Sequence, residues 1–183
     1  RARALPLLGA ALLLAALAVA DRRSAWQEFA TSPEVPADLA RFLDGAGKTY
    51  WDGGLPLFWF KLRQPHYWSC VQGSGLMFYR DTALDYDRRT QGLAALNTQD
   101  FSPTTRSLCP PMRHPGEDGP RGVAQLAEAC RALPDLDSIV LPVALAGAPS
   151  LEWRPPVPFT RSSLAGQRSE HLSFHLYRCA ELR

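Results

Sequence analysis

Asp137-Ser138-Ile139-Val140-Leu141-Pro142-Val143-Ala144-Leu145 is the stretch on which the fold class turns. Its aliphatic, β-branched run reads as a buried strand, and Pro142, which has no N–H to give a neighbour, is expected to end or fray it. Just upstream, residues 121–133 have helical spacing. Val123, Leu126, Ala127, Cys130 and Leu133 share one face there, which turns Cys130 inward. Downstream, residues 171–179 (HLSFHLYRC) alternate polar and apolar and read as a final strand, expected beside the strand that carries Cys70.

The first half repeats the alternation of helix and strand. Residues 25–43 read as a linker and a short helix punctuated by Pro33 and Pro36, with Leu39, Ala40, Phe42 and Leu43 as the apolar face and Gly45 or Gly47 as the stop. Residues 48–51 predict a brief strand, Asp52-Gly53-Gly54 a turn, and Pro56 the start of an aromatic-rich helical segment through Leu62 that Gln64-Pro65 ends. Residues 67–79 read as a strand broken at Gly73 and Gly75. Asp81 is the expected cap of a helix reaching Leu96. Residues 97–120 hold five prolines without periodicity, a length of irregular chain that calls for a functional or covalent explanation. Together these elements predict an α/β fold: a small mixed-sheet α/β sandwich over residues 24–183, preceded by one membrane-directed segment in residues 1–23.

Composition narrows the class. The chain has 183 residues, 46% hydrophobic and 21% charged, which suits one globular domain. The formal charge is +2 and falls to zero without Arg1 and Arg3, so a basic nucleic-acid surface is disfavoured.

Residues 4–20 carry no charge and are built of Ala, Leu, Gly, Val and one Pro, between Arg1 and Arg3 on one side and Asp21, Arg22 and Arg23 on the other. As a helix the run would extend about 26 Å, the short end of what a bilayer core of about 30 Å requires. A retained transmembrane helix is the favoured expectation. A secretory signal peptide is the alternative, because Ala18-Val19-Ala20 fits a cleavage pattern. A buried core helix is disfavoured by the lack of a polar face. Arginines at both ends leave orientation open.

Cysteine usage supplies the side of the membrane. Cys70, Cys109, Cys130 and Cys179 all follow the apolar run and include no CxxC pair, which fits two disulfides in an extracytoplasmic compartment better than zinc or a redox motif. Four buried thiols in a cytosolic protein is the competing reading. Of three connectivities, Cys70 with Cys179 and Cys109 with Cys130 is the expected one, from the strand and helix placements above.

Several motif-like stretches do not hold. Gly45-Ala46-Gly47-Lys48-Thr49 ends like a phosphate loop, but Phe42 stands where the first glycine belongs and the local order is helix then strand. Gly73-Ser74-Gly75 lacks a third glycine, and neither Ser69 nor Ser74 lies in G-x-S-x-G. His171 and His175 on one strand would lie about 13 Å apart, too far for one metal ion. Asp85 and Asp87 read as a solvated helix face. The aromatics Trp51, Phe58, Trp59, Phe60, Tyr67 and Trp68 suit a core or a membrane interface as well as a sugar site.

Residues 65–83 (PHYWSCVQGSGLMFYRDTA), with Tyr50-Trp51-Asp52 upstream and Leu176-Tyr177-Arg178-Cys179 near the end, resemble the C-terminal periplasmic domain of bacterial multi-pass membrane proteins similar to GT-C glycosyltransferases. The resemblance implies that residues 4–20 are the last transmembrane helix, that the catalytic carboxylate lies elsewhere, and that this domain binds an acceptor or covers a polyprenyl-phosphate-linked sugar. It implies an inner-membrane protein with this domain in the periplasm. Its partners would be membrane lipid, a lipid-linked sugar or glycan acceptor, and the remaining transmembrane region. No catalytic residue, metal or cofactor is assigned. Asp52, Tyr67, Gln72 and Arg80 are the candidate ligand contacts, on the expectation that the Gly53-Gly54 turn and the Gly73–Gly75 break lie at neighbouring strand ends. Each also has a plain role: turn residue, core tyrosine, strand hydrogen-bonder and surface partner of Asp81 or Asp85. A secreted or membrane-anchored binding module without catalysis and a small periplasmic hydrolase are the alternatives.

Overall fold

Ser24 accepts the Gln27 N–H at 3.2 Å while the Gln27 side chain accepts the Ser24 N–H at 2.9 Å, a reciprocal cap that starts helix α1 (Ala25–Thr31). The computed structural model describes residues 23–73, 79–96, 122–163 and 166–183. After α1 come α2 (Ala37–Phe42), β1 (Thr49–Trp51), a π-helical turn (Leu57–Leu62) and α3 (Arg80–Leu93), which tightens into a 3-10 turn at Ala94–Leu96. The second half holds α4 (Val123–Ala132), β2 (Ser138–Leu141), β3 (Leu151–Trp153), β4 (Phe159–Ser163), β5 (Gly166–Glu170) and β6 (Phe174–Arg178).

Four strands form one mixed sheet in the order β1-β2-β6-β3. β1 runs parallel to β2, and β6 runs antiparallel to both β2 and β3. β4 and β5 form a separate antiparallel hairpin. Because side chains alternate along a strand, the sheet divides the interior in two. Tyr50, Ile139, Leu141 and Tyr177 face α3 and α4, where they meet Leu93, Leu96, Leu126 and Cys130. Trp51, Val140, Phe174 and Leu176 face α1, α2, the π turn and Phe159 of the hairpin. The second layer is built from aromatic edges: Trp51 meets Phe174 at 5.0 Å and Trp153 at 5.7 Å, and Trp26 meets Phe159 at 4.8 Å. The result is the expected α/β fold with a small mixed sheet between covering layers.

The predicted buried strand is β2, and it stops at Leu141 as Pro142 requires. The helix ahead of it does bury Leu126, Ala129 and Cys130. Other expectations need correction. Over its described part, the segment expected as a strand at 67–79 is not one: Tyr67 to Ser69 are irregular, residues 70–73 make a 3-10 turn with Gln72 N–H on Ser69 O at 3.1 Å, and Tyr79 is the extended cap of α3, while residues 74–78 lie outside the described residues. Among the described residues, one backbone bond, Tyr67 N–H to Thr49 O at 3.2 Å, runs from this segment to β1. Asp81 therefore sits in the first turn of α3 instead of capping it, where a carboxylate favours the positive end of the helix. The reading of a linker at residue 25 missed α1, although S-x-x-Q was present at 24–27. β6 begins at Phe174, so His171 and His175 do not share a strand.

The disulfide pairing also differs from both expected bridges, Cys70–Cys179 and Cys109–Cys130. Cys130 is bonded to Cys179, with Cα atoms 5.3 Å apart. The expected Cys70–Cys179 bridge assumed that β6 lies beside a strand carrying Cys70; β6 instead lies beside β2, and α4 leads directly into β2. Cys179 just past β6 therefore meets the end of α4. Cys70 is disulfide-bonded as well, and no described cysteine is free. Cys109, the proline-rich residues 97–120 and the apolar run at 4–20 lie outside the described residues. Among the described residues no helix is long and apolar enough to cross a membrane.

Candidate functional site

Of the four candidate contacts, Gln72 meets His66, a residue that sequence reasoning passed over. Asp52 follows β1 and prolongs its pairing, donating its N–H to Val140 O at 3.0 Å before the Trp51–Gly54 turn closes at 2.9 Å. Its side chain is buried. His66 lies against the same backbone, with Nε2 3.1 Å from both the nitrogen and the oxygen of Trp51. The Gln72 amide donates to His66 O at 3.3 Å. The His66 ring stands edge-on to Phe58 at 5.0 Å and tilted to Tyr50 at 5.9 Å. Burial pushes its pKa down to about 4, against the opposing pull of backbone hydrogen bonds at Trp51 and Trp68. The neutral imidazole faces the Trp51 peptide at the sheet edge, accepting the Trp51 N–H in one tautomer and donating to the Trp51 carbonyl in the other.

Tyr67 belongs to a neighbouring network. Its hydroxyl donates to Asp135 Oδ1 at 2.9 Å, and Arg88 reaches the same oxygen at 3.0 Å. Arg88 also meets Asp85 at 2.7 Å, and Arg89 pairs with Asp85 at 2.6 Å while lying 4.6 Å over the Tyr67 ring. Burial alone would raise the Asp135 carboxyl, but the hydrogen bonds from Arg88 and Tyr67 outweigh it and hold the pKa at about 2. Burial and the adjacent carboxylate raise the Tyr67 phenol well above its usual range, so it stays a donor. Asp85, read as solvated, is an ion-pair centre; Asp87 accepts from Gln91 on the helix surface. Arg80 is exposed at the start of α3 and makes no hydrogen bond or ion pair among the described residues. The expected groove requires two glycine-bearing strand ends; Gly73 instead ends a 3-10 turn, and Gly75 lies outside the described residues.

Two clefts open elsewhere. One of about 340 Å3 lies between α2 and the edge strand β3. Trp153 forms its floor, with its indole N–H on Asp38 Oδ2 at 2.8 Å, and Arg41 and the Glu152–Arg154 pair stand at its rim. Carboxylates and guanidinium groups beside an aromatic floor are the groups that recognise hydroxyls. The other, of about 260 Å3, is bounded by Gly45, Gly47, Thr49, Phe58 and Gln64. It contains the segment that mimics a phosphate loop, and the structure shows why it is not one. Gly47 has φ +63°, a Cβ there would fall 2.8 Å or less from three Asp137 side-chain atoms, and the Lys48 N–H is already held by Asp137 Oδ2 at 2.8 Å. A carboxylate occupies the place where phosphate oxygens would bind.

Among the described residues no group of three or more His, Cys, Asp or Glu side chains is placed to hold a metal ion. No protein-family model, curated protein or solved structure matches the chain.

Proposed function

We propose that this chain is the extracytoplasmic domain of a membrane protein, the C-terminal accessory domain of an enzyme similar to GT-C glycosyltransferases that uses a polyprenyl-phosphate-linked sugar. The observation that carries the compartment is the oxidised state of the cysteines: Cys130 and Cys179 are joined, and Cys70 is disulfide-bonded too. Such bonds persist outside the reducing cytosol. The uncharged run at residues 4–20 supplies the attachment to the inner membrane, with the domain in the periplasm.

The contact with sugar is assigned to the α2–β3 cleft in place of Asp52, whose side chain is buried, and Gln72, whose amide is held by the His66 carbonyl. Asp38, Arg41, Glu152 and Arg154 there offer both donors and acceptors to a glycan acceptor. The test is transfer from a lipid-linked sugar by the full-length protein carrying Arg41→Ala and Glu152→Gln. Reduced transfer with unchanged thermal stability supports the reading. Unchanged transfer, or quantitative alkylation of all four cysteines in intact cells without reductant, overturns it. Transfer that survives removal of residues 24–183 favours the alternative of a membrane-anchored binding module.

A further inference from the structure

The π turn sorts its side chains unusually: Leu57, Phe58 and Lys61 are buried, while the adjacent Trp59 and Phe60 are 44% and 53% exposed. Two neighbouring large aromatics left in solvent need an explanation when each could bury 150 Å2 or more. The local cause is Lys61. Its ammonium donates to Ser32 Oγ at 2.7 Å, Glu34 O at 2.7 Å and Ser32 O at 3.3 Å, and lies 4.2 Å from the Phe29 ring centroid. This anchor pins the turn against the end of α1 and rotates Trp59 and Phe60 outward. Val35, next to the Glu34 carbonyl that Lys61 holds, is exposed as well. Arg63 follows at once, exposed and in the left-handed conformation at φ 53°.

The position of this patch along the chain points to its occupant. α1, on which the turn is pinned, starts at Ala25, and the uncharged run ends at Ala20, with Arg22 and Arg23 between. Four residues of chain span at most about 14 Å and a seven-residue helix adds about 10 Å. Trp59 and Phe60 are thus tethered within a short reach of the end of the apolar run. Trp is the residue type enriched where hydrocarbon meets headgroups, and the exposed Arg63 at the end of the same turn suits lipid phosphates.

We propose that Trp59 and Phe60 dip into the lipid headgroup region beside the membrane attachment point, so that the π turn docks the domain against the bilayer in a fixed orientation. The proposal rests on the membrane attachment in the reading above, and goes beyond it by naming the surface that meets lipid.

The tryptophans make the test direct. Of the five, Trp26, Trp51, Trp68 and Trp153 are all 4% exposed or less, so Trp59 alone is open to a quencher. The full chain is reconstituted in phosphatidylethanolamine–phosphatidylglycerol vesicles with and without brominated acyl chains. Brominated lipid should remove part of the emission, and Trp59→Phe should abolish that bromine-sensitive part while leaving the rest. Trp59 emission quenched by aqueous iodide and untouched by brominated lipid overturns the proposal. Protection from both quenchers also overturns it, since a protein partner would then cover the patch. A carbonate wash keeps the two readings apart: a chain that resists extraction but shows no bromine quenching leaves the attachment standing and removes the docking surface. A chain that is extracted yet shows bromine quenching before the wash removes the attachment and keeps the docking surface.

Discussion

The backbone N–H of Trp51 is directed to the side-chain Nε2 of His66, 3.1 Å away, where an edge strand would ordinarily seek a neighbouring carbonyl. Only the neutral ring can accept it. The folded pKa of about 4 lies below the ordinary 6.5, so the unfolded chain binds the proton more readily. Stability is then full above pH 6.5 and is lost as pH falls toward 4, by about 3 kcal/mol over that window. Urea titrations at stepped pH should show the midpoint falling between 6.5 and 4. His66→Gln should flatten that slope, and a wild-type midpoint unchanged from pH 7 to 4.5 would count against the geometry.

Asp135 serves a lower window. Its carboxyl is depressed from 3.8 to about 2, so its contribution is present above pH 3.8 and lost as pH falls through 2. Asp135→Ala strands the Tyr67 hydroxyl and should cost about 1–3 kcal/mol in denaturant unfolding. Asp135→Asn, which still accepts from Tyr67, should cost less. Combining Asp135→Ala with Tyr67→Phe should give a loss smaller than the sum of the two; strict additivity would mean that the hydroxyl and the carboxylate do not interact.

Gly92 sits inside α3, where alanine is ordinarily the better helix former by about 1 kcal/mol. Here a Cβ would stand 2.5 Å from Leu133 Cγ, deep between α3 and the end of α4. Gly92→Ala should therefore destabilise by about 1–3 kcal/mol. In a Leu133→Ala background the same change should become neutral or stabilising. Thermal unfolding of the four proteins decides this.

The Cys130–Cys179 bridge closes a separation of 49 residues. Loop-closure entropy sets its contribution at up to about 4 kcal/mol. Replacing both cysteines with serine should lower the melting temperature by about 5–15 °C for a domain of this size. A melting temperature that also stays unchanged on adding reductant to the wild type would show that the bond is not formed in the protein.

What could be read from residues alone follows from how local each signal is. β2 and α4 announce themselves through an aliphatic run ended by Pro142 and a stripe containing Leu126 and Cys130. Trp51 and the glycines after it mark a strand and its turn with equal clarity. β3 is three residues long and shows no alternation that a pattern could catch. The run from Tyr67 to Cys70 looks like a strand because it is apolar, yet its burial comes from contacts with Tyr50, Tyr86 and Arg89 that are distant in sequence. The disulfide partners depend on which strand neighbours β6, a property of sheet order. His66, which lies against the Trp51 backbone and accepts from the Gln72 amide through its carbonyl, carries no spacing signal, and Arg80 makes neither contact.

β6 is the last strand along the chain and an interior strand of the sheet, holding β2 on one side and β3 on the other. Until residues 174–178 are available, β1 and β2 are a lone parallel pair and Trp153 has no Phe174 to pair with. Assembly of the sheet must bring Ser138 to Arg178 and Trp153 to Phe174 at the end, so non-local contacts set the pace. A polypeptide built this way stays incomplete while it is being synthesised. Its architecture closes only after residues 174–178 have joined the sheet.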